Sequence, residues 1–182
     1  STGQTAVFDG RTRRELMSRY TGTNRYGDRD ESLGGDDWAR PEVVGCVQSL
    51  SNSDPSVIFG DFSNMHAGLF TVSGDGTPGH DAGHQNGWEA DGFFDGYFVE
   101  QGTGKDRQRI LPASTGQHLV NIANALDGCG AYVRVILATY AAKTGDPLYD
   151  AIKGQKIGSR DATSVIRPRE LHLGHFHLAF TK

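Results

Sequence analysis

The 182-residue chain is short of cysteine, of positive charge and of long hydrophobic runs, and each shortage removes a class of protein. Two cysteines, Cys46 and Cys129, are too few for a disulfide-dense scaffold. One bridge in an oxidising compartment and two buried thiols both remain open on sequence grounds. The longest apolar stretch, residues 132–142, contains Arg134 and cannot span a bilayer. Lys and Arg number 18 against 22 Asp and Glu, a formal net charge of -4, with no basic tail and no Lys/Arg-rich run. Nucleic acid is therefore not an expected partner, because neutralising phosphates needs clustered positive charge. No Ser-His-Asp or Cys-His arrangement stands out, and the Gly-rich loops lack the Lys-Ser/Thr of a phosphate cradle. An initiator methionine is missing too. The opening Ser1-Thr2-Gly3-Gln4 fits a processed mature chain and an extracytoplasmic protein.

The hydrophobic fraction of 36% is on the polar side, but aromatic and branched residues recur along the whole chain, so disorder is not expected. The length suits one domain with a real core. The 25 glycines predict many turns. Leu16, Met17 and Tyr20 fall near one face of a helix over residues 9–20. Residues 21–38 read as a loop, and 41–50 as a short helix or strand. Strands are expected at 57–62, 68–73 and 88–98, with a glycine- and aspartate-rich loop at 74–83 and a polar turn at 102–109. Leu119, Ile122, Ala123 and Leu126 recur at spacings of three and four, which predicts a helix over 115–126 stopped by Gly128. Residues 132–140 form the strongest strand pattern. Asp146-Pro147 opens a further helix to about Gly154, since proline is tolerated in a first turn. A last strand carries His175, His177 and Phe180. These elements predict a single α+β domain over residues 1–182.

Five of the seven histidines lie in two short segments, His80 to Asp91 and His172 to His177. On a strand, alternate residues share a face, so His175 and His177 are expected to project together around Phe176, with His172 a step before them. Imidazoles grouped on one face are costly to bury without partners and well suited to a metal plus one acid–base group. Zinc in hydrolases takes three protein ligands and keeps one position for water. His84, Asp91 and one of His175 or His177 can supply the ligands, and the remaining histidine the base or the oxyanion support. Asp75 and Asp81 do not have the spacing of a calcium loop and read as solvated turn residues. Trp88 and Glu89 read as the wall of the site. Arg167 and Arg169 read as solvated, and His66 and His118 as structural.

The segment His84-Gln85-Asn86-Gly87-Trp88-Glu89-Ala90-Asp91 has the form H-x-x-G-x-x-x-D, and His172, His175 and His177 form H-x-x-H-x-H. The two together resemble the motifs of the lysostaphin, D-Ala-D-Ala and hedgehog-type zinc metallopeptidases. They are most similar to those of the penicillin-insensitive murein endopeptidases, with the same order along the chain. The resemblance implies Zn2+ held by His84, Asp91 and His177. It implies His175 as a catalytic histidine that is not a ligand, and His172 as a further active-site histidine that orients its neighbours or substrate. His80 is similar to a histidine that precedes the first ligand, although it stands four residues before His84 where the family has three. Leu173 and Gly174 replace acidic residues of the family, and the family's enzymes are longer. The fold so implied is a small antiparallel sheet with flanking helices, hedgehog/D-Ala-D-Ala peptidase-like, with the metal on the concave side. The implied function is a secreted peptidase that hydrolyses amide bonds in peptidoglycan peptides, with no membrane span. The alternatives are a zinc-binding recognition module without catalysis and a zinc hydrolase of another amide.

Overall fold

A computed structural model describes residues 4–8, 13–19, 38–60, 62, 87–170 and 172–181, with backbone alone for 4–8, 13–19 and 38. The chain is α+β. It begins with β1 (Gln4–Phe8), β2 (Arg13–Arg19) and β3 (Trp38–Ala39), then α1 (Pro41–Ser53) and β4 (Val57–Gly60). β5 (Glu89–Phe94) is followed by the pair β6 (Val99–Gln101) and β7 (Gln108–Ile110), α2 (Ala113–Leu126) and β8 (Tyr132–Ala138). The remainder is α3 (Pro147–Ile152), β9 (Lys156–Ile157), β10 (Arg160–Asp161), α4 (Ala162–Val165), β11 (Ile166–Pro168) and β12 (Phe176–Thr181).

The centre is a five-stranded sheet in the order β11-β8-β12-β5-β4. Three of its pairings are antiparallel; the edge strand β11 runs parallel to β8, so the sheet is mixed and not wholly antiparallel as expected. The parallel pair is possible because the connection from β8 passes through α3, β9, β10 and α4, a crossover of the length that parallel strands require. A shift of register between Ala179 and Phe180 leaves Arg134 of β8 without an opposite residue on β12. Such a bulge re-aims side chains locally.

The helix expected over residues 9–20 is not formed. Residues 13–19 are β2, paired in antiparallel register with β1 and with β3. The segment Arg-Arg-Glu-Leu-Met-Ser-Arg has good helix formers, but propensity is a weak prior, and strands on both sides satisfy its backbone groups. The polar turn expected at 102–109 contains a short 3-10 turn, Gly104–Asp106, and its last residues enter β7. The ambiguity at 41–50 is resolved as helix α1, which starts on Pro41 and buries Val43, Val44, Cys46, Val47 and Leu50. The strand expected at 68–73 and the loop at 74–83 lie outside the described residues.

Alternation along the central strands separates two faces. Phe176, Leu178 and Phe180 of β12 join Ala90 and Phe94 of β5 and Val133 and Ile136 of β8 in one buried cluster. Leu119, Ile122, Ala123 and Leu126 of α2 and Val43 and Val47 of α1 complete it. His177, Asp91 and Glu89 belong to the other face. Gly92 stands opposite Phe176 in the register, and a methyl group on it would overlap the Phe176 ring. α2 and α3 approach closely because Gly116 has no side chain: a Cβ there would come within 3.0 Å of the Leu148 carbonyl oxygen and 3.1 Å of the Ala151 Cβ. Asp146 caps α3, accepting from the backbone N–H groups of Leu148 and Tyr149, each at 3.0 Å.

The open alternative for the cysteines is resolved as well. Cys46 of α1 and Cys129, just beyond α2, form a disulfide that spans 83 residues of sequence. In the chain-entropy account, a loop of that size is worth about 4–5 kcal/mol.

Candidate metal site

The site is built where β5 and β12 lie side by side. The register sets His177 directly opposite Asp91 and Ala179 opposite Glu89. Glu89 and Asp91 are two residues apart, so both carboxylates share the face that His177 occupies. His177 Nδ1 lies 2.8 Å from Asp91 Oδ1. Its Nε2 lies 2.9 Å from Glu89 Oε2. The second contact is close, but it is not a directed hydrogen bond: Glu89 Oε2 is buried and has no hydrogen-bond partner among the described residues. The imidazole is therefore flanked by carboxylates at both nitrogens, and the three residues are buried, at 6%, 2% and 9% exposure for His177, Asp91 and Glu89. Burial alone pulls the His177 pKa down, but the hydrogen bond to Asp91 and the close negative charges of Asp91 and Glu89 outweigh it and lift the pKa to about 9.

His175 was expected on the last strand beside His177. It lies immediately before β12, which begins at Phe176. It still reaches the site, with Nε2 3.6 Å from Asp91 Oδ2. His172 completes the group: its ring centroid is 5.1 Å from that of His175 and 5.8 Å from that of His177. Its backbone is held at both polar groups. The N–H donates to Thr139 Oγ1 at 2.8 Å, and the carbonyl accepts from the Tyr97 hydroxyl at 3.0 Å. His172 Nδ1 lies 2.7 Å from the Glu170 carbonyl oxygen. A carbonyl only accepts, so Nδ1 carries the proton and the neutral ring has its lone pair on Nε2. Burial pushes the His172 pKa below the ordinary histidine value, the Glu170 contact works against that, and the neighbouring His175 and His177 lower it further. Tyr97 is fully buried among Phe93, Phe94 and Phe176, and burial with the Asp91 charge keeps its hydroxyl protonated as a donor.

The structure thus brings together Asp91, His172, His175 and His177. His84, His80, His66, Asp75 and Asp81 lie outside the described residues. His118 sits apart, with Nε2 2.8 Å from Asp54 Oδ2 and its ring against Phe94. Arg167 is exposed and donates to the Ser164 carbonyl, and Arg169 is exposed. Trp88 is half-buried, with the Arg40 guanidinium over its ring.

One participant was under-read from the sequence and three escaped it. Glu89 was read only as wall, although the strand pattern Glu89-x-Asp91 carries the signal that both carboxylates face one way. Tyr97 and Thr139, which hold the His172 loop, have no local signal, because they meet it only through tertiary contact. Arg109, whose guanidinium lies over the Phe98 ring at 4.3 Å, also borders that loop: a Cβ on Gly174 would stand 3.7 Å from its Nη1.

The donors suit a small divalent metal in kind. Zinc takes imidazole nitrogen and carboxylate oxygen at about 2.0–2.2 Å, which puts neighbouring tetrahedral donors about 3.3 Å apart. His177 Nδ1 and Asp91 Oδ1, at 2.8 Å, are at hydrogen-bonding separation, shorter than that spacing, so the two donors would have to part slightly to share a metal. Among the described residues no group of three or more His, Cys, Asp or Glu converges as a complete ligand set. A scan against protein-family models finds no match, and no curated protein matches the chain significantly. Among the described residues, no helix is long and apolar enough to cross a membrane.

Proposed function

We propose that the protein is a zinc-dependent peptidase that hydrolyses amide bonds in peptidoglycan peptides. The observation that carries this reading is the pairing of His177 Nδ1 with Asp91 Oδ1 at 2.8 Å on adjacent strands, with the rings of His172 and His175 beside it. Asp91 and His177 would hold the metal together with His84 of the H-x-x-G-x-x-x-D motif. Bound there, zinc supplies a Lewis acid that polarises a carbonyl and acidifies a water.

The remaining work falls to the chain's own groups. His175 is next to Asp91 and less buried than His177, so its ring can meet both solvent and substrate. It takes the proton of the attacking water and returns it to the leaving amine, the usual task of a general acid–base residue. His172 is fixed by Tyr97, Thr139 and Glu170, with Nε2 left as the acceptor, so it orients substrate or the His175 ring without changing its own position. The Cys46–Cys129 bridge supports an extracytoplasmic location, where disulfides persist and cell-wall peptides are accessible.

Digestion of purified peptidoglycan, with and without a chelator, tests the reading when the released fragments are identified by mass spectrometry. Chelator-sensitive cleavage of cross-link peptides is expected. A protein that binds zinc stoichiometrically but cleaves no peptide would instead be a recognition module, and one that takes up no zinc would overturn the metal site.

A further inference from the structure

We propose that Arg109 binds a carboxylate of the substrate beside the histidine cluster, so that the protein selects peptides with a free carboxylate next to the amide that is cut.

Placement comes first. Arg109 is the middle residue of β7 and pairs with Glu100 of β6. Its Nη1 lies 3.7 Å from the point that a Cβ on Gly174 would occupy. Gly174 stands between His172 and His175 in the chain, so the guanidinium runs alongside the loop that carries both rings. Two adjacent residues fix this arrangement. The Tyr97 hydroxyl donates to the His172 carbonyl at 3.0 Å, and the Arg109 guanidinium lies over the ring of the next residue, Phe98, at 4.3 Å. The loop and the cation are thus tied to the same short segment.

The state of the charge comes second. An aromatic ring steadies a guanidinium without neutralising it. Among the described residues, the carboxylate beside Arg109 is Glu100, and that group is engaged by another cation: its Oε2 is 2.7 Å from Arg107 Nε, whereas its Oε1 is 3.7 Å from Arg109 Nε. The longer separation is beyond a hydrogen bond. The Arg109 side chain is 49% exposed, so a ligand can reach it. Arg134, a cation at the Glu89 end of the site, differs in facing that buried carboxylate at 4.0 Å. A positioned, accessible guanidinium suits a carboxylate, which it grips through two parallel N–H donors, a geometry that a lysine does not reproduce. Holding a carboxylate there would place the neighbouring amide of the same peptide over His172 and His175, and such positioning of a non-reacting group assists the reaction at the amide.

The role in selecting substrate rests on the peptidase reading above; the carboxylate site does not. The probes are a cross-linked peptide dimer isolated from peptidoglycan, in native form and with its carboxylates converted to carboxamides. Wild type should cut the native dimer with a kcat/KM about 10–100-fold above that for the amidated one, the range of a lost charge-assisted hydrogen bond. The difference should lie mainly in KM and collapse in Arg109→Gln, with Arg109→Lys in between. Zinc content should be the same in all three proteins, since Arg109 supplies no ligand. Equal kcat/KM for the two dimers in wild type, or an undiminished preference in Arg109→Gln, overturns the proposal. If wild type cuts neither dimer, the peptidase reading fails, and calorimetric titration of both dimers into the three proteins decides the carboxylate site alone: binding that is independent of the carboxylates, or of Arg109, overturns it. If Arg109→Gln does not fold, a full preference for the native dimer in folded Arg109→Lys overturns it.

Discussion

The two faces of the central sheet are made by the same strands and obey opposite rules. On one face, Phe176, Leu178 and Phe180 of β12 meet Ala90 and Phe94 of β5 in a core that gains its stability from removal of apolar area from water. On the other, one residue out of step, His177 meets Asp91 and Glu89. Both faces are buried, but the second keeps its ionisable groups only by pairing them closely. The contrast teaches that burial alone does not identify a core here. The direction in which a side chain leaves the strand decides whether its loss is felt as stability or as chemistry.

The comparison is broken most severely on the polar face. On the proposed zinc reading, His177→Ala is expected to remove metal and turnover together, because it would delete a ligand. His175→Ala is expected to retain most of the zinc and lose turnover about a hundred- to ten-thousand-fold, the range of a general acid–base group. Zinc content and peptide release from peptidoglycan, measured on the same preparations, check both; full activity in His175→Ala removes the assigned role.

Next in size is the apolar neighbour. Phe176→Ala should cost about 3–5 kcal/mol in denaturant unfolding, since Phe176 is fully buried against Phe59, Phe94 and Tyr97. Folded molecules should still bind zinc, and a Phe176→Ala protein of normal stability would erase the distinction between the faces.

A pH profile sharpens the same distinction. In the metal-free protein, the folded-state pKa of His177 is raised to about 9 from an ordinary 6.5. Its contribution is then complete below about 6.5 and disappears as pH rises through about 9. Thermal unfolding of metal-free wild type should weaken over that window, and the same window should be flat in His177→Leu.

A smaller effect is expected from Gly92→Ala. The added methyl meets the Phe176 ring, and overpacking of this kind typically costs about 1–3 kcal/mol. Because Gly92 separates Asp91 from Phe93 on the same strand, it tests whether strain on the apolar face reaches the polar one, read as a shift in zinc affinity.

The smallest change lies away from both. His118→Ala should cost less than about 1 kcal/mol, because the Asp54 partner is partly exposed. Burial would raise the Asp54 pKa, but hydrogen bonds from Ser56 and His118 and the His118 charge bring it below the ordinary value. What the pair contributes is therefore present above about 3.8 and lost as pH falls through the lower folded value. A shallower acid limb in His118→Ala is the expected mark.

Much of the local structure is legible in the linear pattern. The 3.6-residue spacing of Leu119, Ile122, Ala123 and Leu126 reads as α2, Asp146-Pro147 as the start of α3, and the β-branched run at 132–138 as β8, because each is written in residues close together in sequence. The grouping of His172, His175 and His177 is also readable from their spacing, whereas their meeting with Asp91 was an expectation from metal-ligand chemistry and the resemblance; the structure places the four near one another. Residues 13–19 show the limit. Their composition favours a helix, but β1 and β3 lie on either side and pair with them as a strand, which no property of the segment itself contains.

What sequence alone determined is therefore the set of chemical groups and the periodicities that bury one face of each element. Tertiary structure decided which groups meet. The antiparallel register of β5 and β12 alone sets His177 against Asp91, and brings it within 2.9 Å of Glu89 two residues along β5. Cys46 and Cys129 could equally have remained thiols until α1 and α2 brought their Cα atoms to 5.4 Å. Tyr97 and Thr139 hold the His172 loop from elements 75 and 33 residues away in sequence. Such contacts depend on distances through space, and a one-residue change of register would send every one of those strand side chains to the opposite face.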